Sequence, residues 1–184
     1  HDEDALSVRE ADLVMRLRIG APERCLLLAQ SNLANTYQRL GRLDDALRLR
    51  QDAYFGTLRL DGEESRNTFL EANNYAADLR CLERFEEVKR LLRRLMPVAR
   101  RVLGDNDRLT LKMSWNYATA LYMDDGATVD DLREAVTTLE ETERIARRVF
   151  GGAHPTTTEI EQCLRESRAA IRAREGTPPG NARP

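Results

Sequence analysis

Apolar residues in this 184-residue chain fall on helical spacing, and the spacing itself recurs. Leu26, Leu33, Tyr37 and Leu40 stand at i, i+7, i+11 and i+14, one face of a helix with 3.6 residues per turn. The pattern predicts a helix from Glu23 to Leu40, ended by Gly41. Leu43, Ala46, Leu49, Ala53 and Leu60 carry a second helix up to Asp61-Gly62. Inside the first helix, Asn32-Leu33-Ala34 returns as Asn74-Tyr75-Ala76 and again as Asn116-Tyr117-Ala118, each time 42 residues on. A fixed period in this range is the signature of stacked helical repeats, which bury their apolar faces against one another.

The repeat unit is a pair of antiparallel helices, A then B. Ala34 and Ala46, and later Ala76 and Val88, lie 12 apart, where small side chains let two helices approach around a short turn. Full repeats are expected over 23–62, 65–104 and 107–151, with half-repeats at 4–19 and 155–174 and a disordered tail over 176–184. The first half-repeat is a B helix without its A partner, so an upstream segment or a partner is expected to cover its apolar flank. Pro97 falls inside the second B helix and predicts a kink or break. Between Met123 and the third B helix the connection is five residues longer, and Thr128 with Asp131 resembles a capping box. His154-Pro155 opens the last helix. The expected fold is all-α: a right-handed α-solenoid over 1–175, about seven helices in the order B-AB-AB-AB-A.

The pattern Asn32-Leu33-Ala34, Tyr37, Gly41, Leu43, Ala46 resembles the tetratricopeptide repeat (TPR). The 42-residue period resembles the kinesin light chain subclass, as does the stretch Arg147-Arg148-Val149-Phe150-Gly151-Gly152-Ala153-His154-Pro155. There are departures. The His-Pro pair occurs once, and Tyr37 becomes Leu79 and Leu121 in the later repeats. No heptad coiled coil of the kind that binds a kinesin heavy chain is present in the sequence. The resemblance implies a non-enzymatic scaffold or adaptor that binds a peptide or helix in the concave groove of the A helices.

It also implies which stripe faces that groove. In the first repeat the stripe is Leu28, Asn32, Asn35 and Arg39; its equivalents are Leu70, Asn74, Ala77 and Cys81, then Lys112, Asn116, Thr119 and Met123. Asn73, Arg80, Trp115 and Tyr122 flank it. Asn amides offer donors and acceptors that match a peptide backbone. Arg39, Arg80 and Lys112 suit acidic side chains, and Trp115 and Tyr122 suit apolar anchoring. Asn32, Asn35, Arg39, Asn73, Asn74, Arg80, Lys112, Trp115, Asn116 and Tyr122 are thus the candidate site. The competing reading has these Asn residues tying helices together inside the stack.

Charge changes the picture only by exclusion. Lys and Arg total 29 against 31 Asp and Glu, so wholesale nucleic-acid binding is not expected, and the basic run from Arg84 to Arg101 reads as a solvated outer face. No apolar run reaches the roughly 20 residues of a membrane span. Cys25, Cys81 and Cys163 are odd in number and far apart, which fits a reducing, cytoplasmic setting rather than a disulfide or metal framework. No metal, cofactor or catalytic residue is expected. The expected partner is a protein or peptide of acidic character. A structural subunit held through its outer faces, and the regulatory portion of a larger enzyme or receptor, are the alternatives.

Overall fold

A computed structural model describes residues 2–175, and the tail expected to be disordered lies outside them. Eight helices are present among the described residues: α1 (Asp2–Arg18), α2 (Glu23–Arg39), α3 (Leu43–Asp61), α4 (Arg66–Cys81), α5 (Phe85–Leu103), α6 (Arg108–Met123), α7 (Val129–Phe150) and α8 (Pro155–Glu175). There is no strand among the described residues. The expected order B-AB-AB-AB-A itself contains eight helices, so the observed eight match that order and only the expected count of about seven was low. Two compact units divide the chain, His1–Val102 and Leu103–Pro184.

In the first unit α1 packs on α2, α2 on α3, and α3 on α4. Ala34, Ala46, Ala76 and Val88, the small residues at the turns, are fully buried. Phe69, Leu79, Leu92 and Leu95 fill the space between the helices. In the second unit α7 packs against both α6 and α8, and α6 also touches α8. Its core is Leu111, Met113, Leu121, Leu132, Leu139 and Ile160.

Local chemistry sets the helix ends. The Thr128–Asp131 capping box is formed: Asp131 N–H donates to Thr128 Oγ1 at 3.1 Å, and Thr128 N–H donates to Asp131 Oδ2 at 2.9 Å. His154 caps α8 through its ring, with Nδ1 accepting from Thr156 N–H at 3.2 Å while the imidazole stacks on Phe150. Pro97 does not break α5. The helix runs on through it, because the ring lies on the exposed side while Leu92, Leu95, Met96 and Ala99 are held in the core. The carbonyl that Pro97 leaves without its helical donor, that of Arg93, belongs to an exposed residue that water can reach.

The turns between A and B helices show one departure from local preference. After α2, Gly41 N–H donates to Gln38 C=O and Arg42 N–H to Tyr37 C=O, with Gly41 at φ 74°. After α4 the same two bonds form 42 residues later, from Glu83 to Arg80 and from Arg84 to Leu79. This is a Schellman turn, whose pivotal residue must be left-handed. Here that residue is Glu83, at φ 57°. A side chain in that region costs about 1–2 kcal/mol, partly offset by the greater entropy glycine loses on folding. Glu83→Gly is expected to raise stability by about 0.5–1 kcal/mol in urea denaturation of the full chain. A loss of stability would show that the Glu83 side chain is held by something stronger than the strain.

Candidate functional site

The stripe singled out on α2 faces solvent. Leu28 is 61% exposed, and Asn32, Asn35 and Arg39 are exposed in turn along the helix. On α4 the equivalent line is partly covered: Leu70 is 46% exposed and Cys81 is exposed, but Asn74 and Ala77 are half-buried. Asn73 beside it is buried. Arg80 is half-buried, and its Nε is out of solvent with no hydrogen-bond partner among the described residues. Leu28, Leu60 and Leu70 line a cleft of about 320 Å³, with Arg24 and Asp61 at its edge joined by an ion pair at 2.5 Å.

Beneath this stripe lies a polar cluster that the repeat pattern does not announce. Arg50 on α3 is 1% exposed. Its Nε donates to Asp78 Oδ2 at 3.0 Å, one terminal nitrogen to Ser31 Oγ at 2.7 Å and to Ser31 C=O at 3.2 Å, and the other to Asn35 Oδ1 at 2.6 Å. Glu71 stands 3.8 Å from the guanidinium and accepts from the Ser31 hydroxyl at 3.0 Å. Asn74 hydrogen-bonds to Glu71 as well. One cation thus joins α2, α3 and α4, and two carboxylates share it. Burial pushes the carboxyls of Glu71 and Asp78 above their ordinary values, against the opposing pull of Arg50.

In the second unit, Lys112 and Met123 are exposed at the two ends of the α6 stripe, and Asn116 and Thr119 between them are buried. Half-buried Trp115 donates its indole N–H to Cys163 Sγ on α8 at 3.2 Å. The Tyr122 hydroxyl donates to Glu166 at 2.9 Å, and burial pushes its pKa far up. The ten candidate residues therefore do not share one environment. Asn32, Asn35, Arg39 and Lys112 are exposed; Asn74, Arg80, Trp115 and Tyr122 are half-buried; Asn73 and Asn116 are buried.

A family model described as tetratricopeptide repeat matches residues 26–54, a span covering most of α2 and the first part of α3. The fold is that of a TPR protein. Among solved structures, BtubC (BKLC) from P. vanneervenii is similar at 18% identity and a TM-score of 0.69, over 100% of this chain and 78% of that one. A kinesin light chain-type protein of Podosopora anserina with nearly identical TPR-like repeats is similar at 18% identity and a TM-score of 0.69, over 96% of this chain and 90% of that one. A substituted form of that protein gives a TM-score of 0.71. The resemblance is thus to kinesin light chain-like TPR proteins. No curated protein matches in sequence. The TPR fold commonly serves as a protein–protein interaction scaffold and is generally non-enzymatic. No cluster of three His, Cys, Asp or Glu residues suited to a metal occurs among the described residues, and no helix there is long and apolar enough to cross a membrane.

Within the TPR alignment the Arg50 cluster has a sequence signal that goes unread without the period. The positions equivalent to Arg50 are Leu92 and Leu139, both fully buried, and those equivalent to Asp78 are Thr36 and Ala120. An Arg at a Leu position in one repeat, matched by an Asp at a small-residue position in the next, marks a buried ion pair. Breaking it from one side strands a buried charge. Arg50→Leu is expected to cost about 3–5 kcal/mol, and adding Asp78→Ala and Glu71→Gln should restore most of that. Urea denaturation of the three proteins checks this; an unaffected single variant would remove the cluster from the stabilising contacts. The raised carboxyl values set a pH dependence. A group that binds its proton more tightly when folded stabilises below its unfolded pKa of about 4 and loses that contribution as pH rises through the folded value. Stability should therefore fall as pH rises across that window, with a smaller slope in the Glu71→Gln/Asp78→Asn form.

Proposed function

We propose that this chain is a non-enzymatic scaffold that binds a peptide or helix of a partner protein on its A-helix face. The observation that carries this is the α2 stripe. An exposed leucine is followed at helical spacing by two exposed amides and an exposed arginine. Leu28 and Leu70 offer the adjoining apolar cleft to a side chain of the partner. Asn32 and Asn35 meet its backbone, and Arg39 meets an acidic group. In the second unit Lys112 supplies a further exposed cation on α6.

Affinity capture from the native source tests the reading. The wild-type chain is compared with Leu28→Glu/Leu70→Glu, with Asn32→Ala/Arg39→Glu, and with Arg80→Glu and Lys112→Glu singly. The first two variants should lose partners that the wild type retains, with thermal midpoints little changed because the altered side chains are exposed. Retention of every partner by both would overturn the proposal.

A second reading is favoured by α1. Val8 and Met15 are each more than half exposed and lie seven residues apart on one side of the helix, and Ile19, exposed just past its end, continues that side. In that reading the protein is a structural subunit held through this side of α1, and changes at Val8 and Met15 release it while the α2 variants stay bound.

A further inference from the structure

One side of α1 carries an ordered row of exposed residues. Asp4, Val8, Ala11, Met15 and Arg18 stand at i, i+4, i+7, i+11 and i+14, a single stripe along the helix, and all five are exposed. Leu6, on the opposite side, is buried where α1 packs on α2. Val14, 46% exposed, borders the stripe, and Ile19 prolongs it past the helix end. The middle of the stripe is therefore apolar, its N-terminal end acidic and its C-terminal end basic.

This order is symmetric about Ala11. Val8 and Val14 lie three residues before and after it, and Asp4 and Arg18 lie seven before and after it. Ala11 has the smallest side chain of the stripe, so a second helix can approach closest there. Two such helices laid antiparallel across a twofold axis at Ala11 set Val8 of each against Val14 and Met15 of the other. The same placement sets Asp4 of each against Arg18 of the other. Glu3 adds a second exposed carboxylate to the acidic end. Arg18 is exposed, and its guanidinium has neither a hydrogen bond nor an ion pair among the described residues, whereas Arg16 is held by Asp12 at 2.8 Å.

We propose that this side of α1 binds the same side of α1 in a second copy of the chain, as an antiparallel helix pair with twofold symmetry. Charge selects the arrangement: a parallel pair sets acid on acid and base on base, and the antiparallel pair sets each acidic end on a basic one. The far end of the chain is a poor occupant by comparison. No large apolar residue of α8 is exposed, so α8 offers nothing to cover Val8 and Met15. A surface complementary to itself under a twofold closes after two copies. With 17 residues, α1 is about 25 Å long, a contact at the small end of specific interfaces, so the dimer is concentration-dependent. The proposal rests on the same exposed residues as the subunit reading above and gives them a partner; the α2 reading does not enter.

Sedimentation equilibrium of the full chain, over a micromolar to millimolar concentration series, is the test. The wild type should pass from monomer to dimer as concentration rises, and Met15→Glu should stay monomeric. Asp4→Arg and Arg18→Glu should each weaken the dimer roughly three- to tenfold. An equimolar mixture of those two variants should regain it, because both ends of the mixed pair again join opposite charges. All the altered side chains are exposed, so circular dichroism should show the helix content unchanged. A wild type that stays monomeric throughout, a dimer undiminished by Met15→Glu, or a mixture no tighter than its parts would each overturn the proposal. A monomeric wild type whose Val8 and Met15 variants still lose captured partners would overturn it too, while leaving the subunit reading in place.

Discussion

The first unit depends on one buried cation. Taking the Arg50 guanidinium out of water carries a desolvation cost of several kcal/mol, which only well-aimed partners can offset. Those partners come from two different helices, Ser31 and Asn35 on α2 and Asp78 on α4, while Arg50 itself belongs to α3. The cluster can form only when all three helices are in register. A leucine at this position, as in the other repeats, would tolerate a shifted neighbour; the guanidinium does not. Apolar burial drives these helices together, and Arg50 restricts how they meet.

That restriction reaches the surface. Asn35 is exposed, yet its carbonyl oxygen is already taken by Arg50, so what it has left for a ligand is chiefly its N–H donors. Asn74 has the reverse arrangement, since its amide donates to Glu71 and its carbonyl oxygen is the group left over. The A-helix amides therefore combine two roles that first read as alternatives, tying helices together and presenting polar groups outward. Side chains fixed in this way lose less freedom when a ligand arrives, which favours binding through a lower ordering cost.

Much of the fold was legible because its determinants are local or periodic. The helical spacing, the 42-residue period, the Thr128–Asp131 box and the His154-Pro155 start each involve residues close in sequence or equivalent by repeat. The environment of the candidate residues was legible only in part, because equal position does not mean equal exposure. Asn32 and Asn116 are equivalent by the period, but one is exposed and the other 5% exposed. The difference comes from neighbours, which the period does not encode. On α6, Trp115 and Tyr122 are drawn onto α8 by Cys163 and Glu166, whereas α2 keeps its stripe open. Pro97 shows the same limit from the other side: its local rule predicted a kink or break, and α5 is not broken there, the buried residues on either side holding the helix through.

The ion pair and the ring pair of the first unit are two layers of one contact between α3 and α4. Arg50 and Tyr54 lie one turn apart on α3, and their partners Asp78 and Tyr75 lie one turn apart on α4. The ion pair sits under the α2 stripe, and the stacked rings form the base of an outer cleft among α3, α4 and α5. A shift of α4 that lengthened the Arg50–Asp78 bond would therefore also slide Tyr75 over Tyr54 and reshape the cleft. Rigid packing on this scale leaves little room for one face to relax without the other. An arginine at a leucine position thus does more than fix helix register: it makes the geometry of the outer cleft conditional on the same bond that orders the amides of the A-helix face.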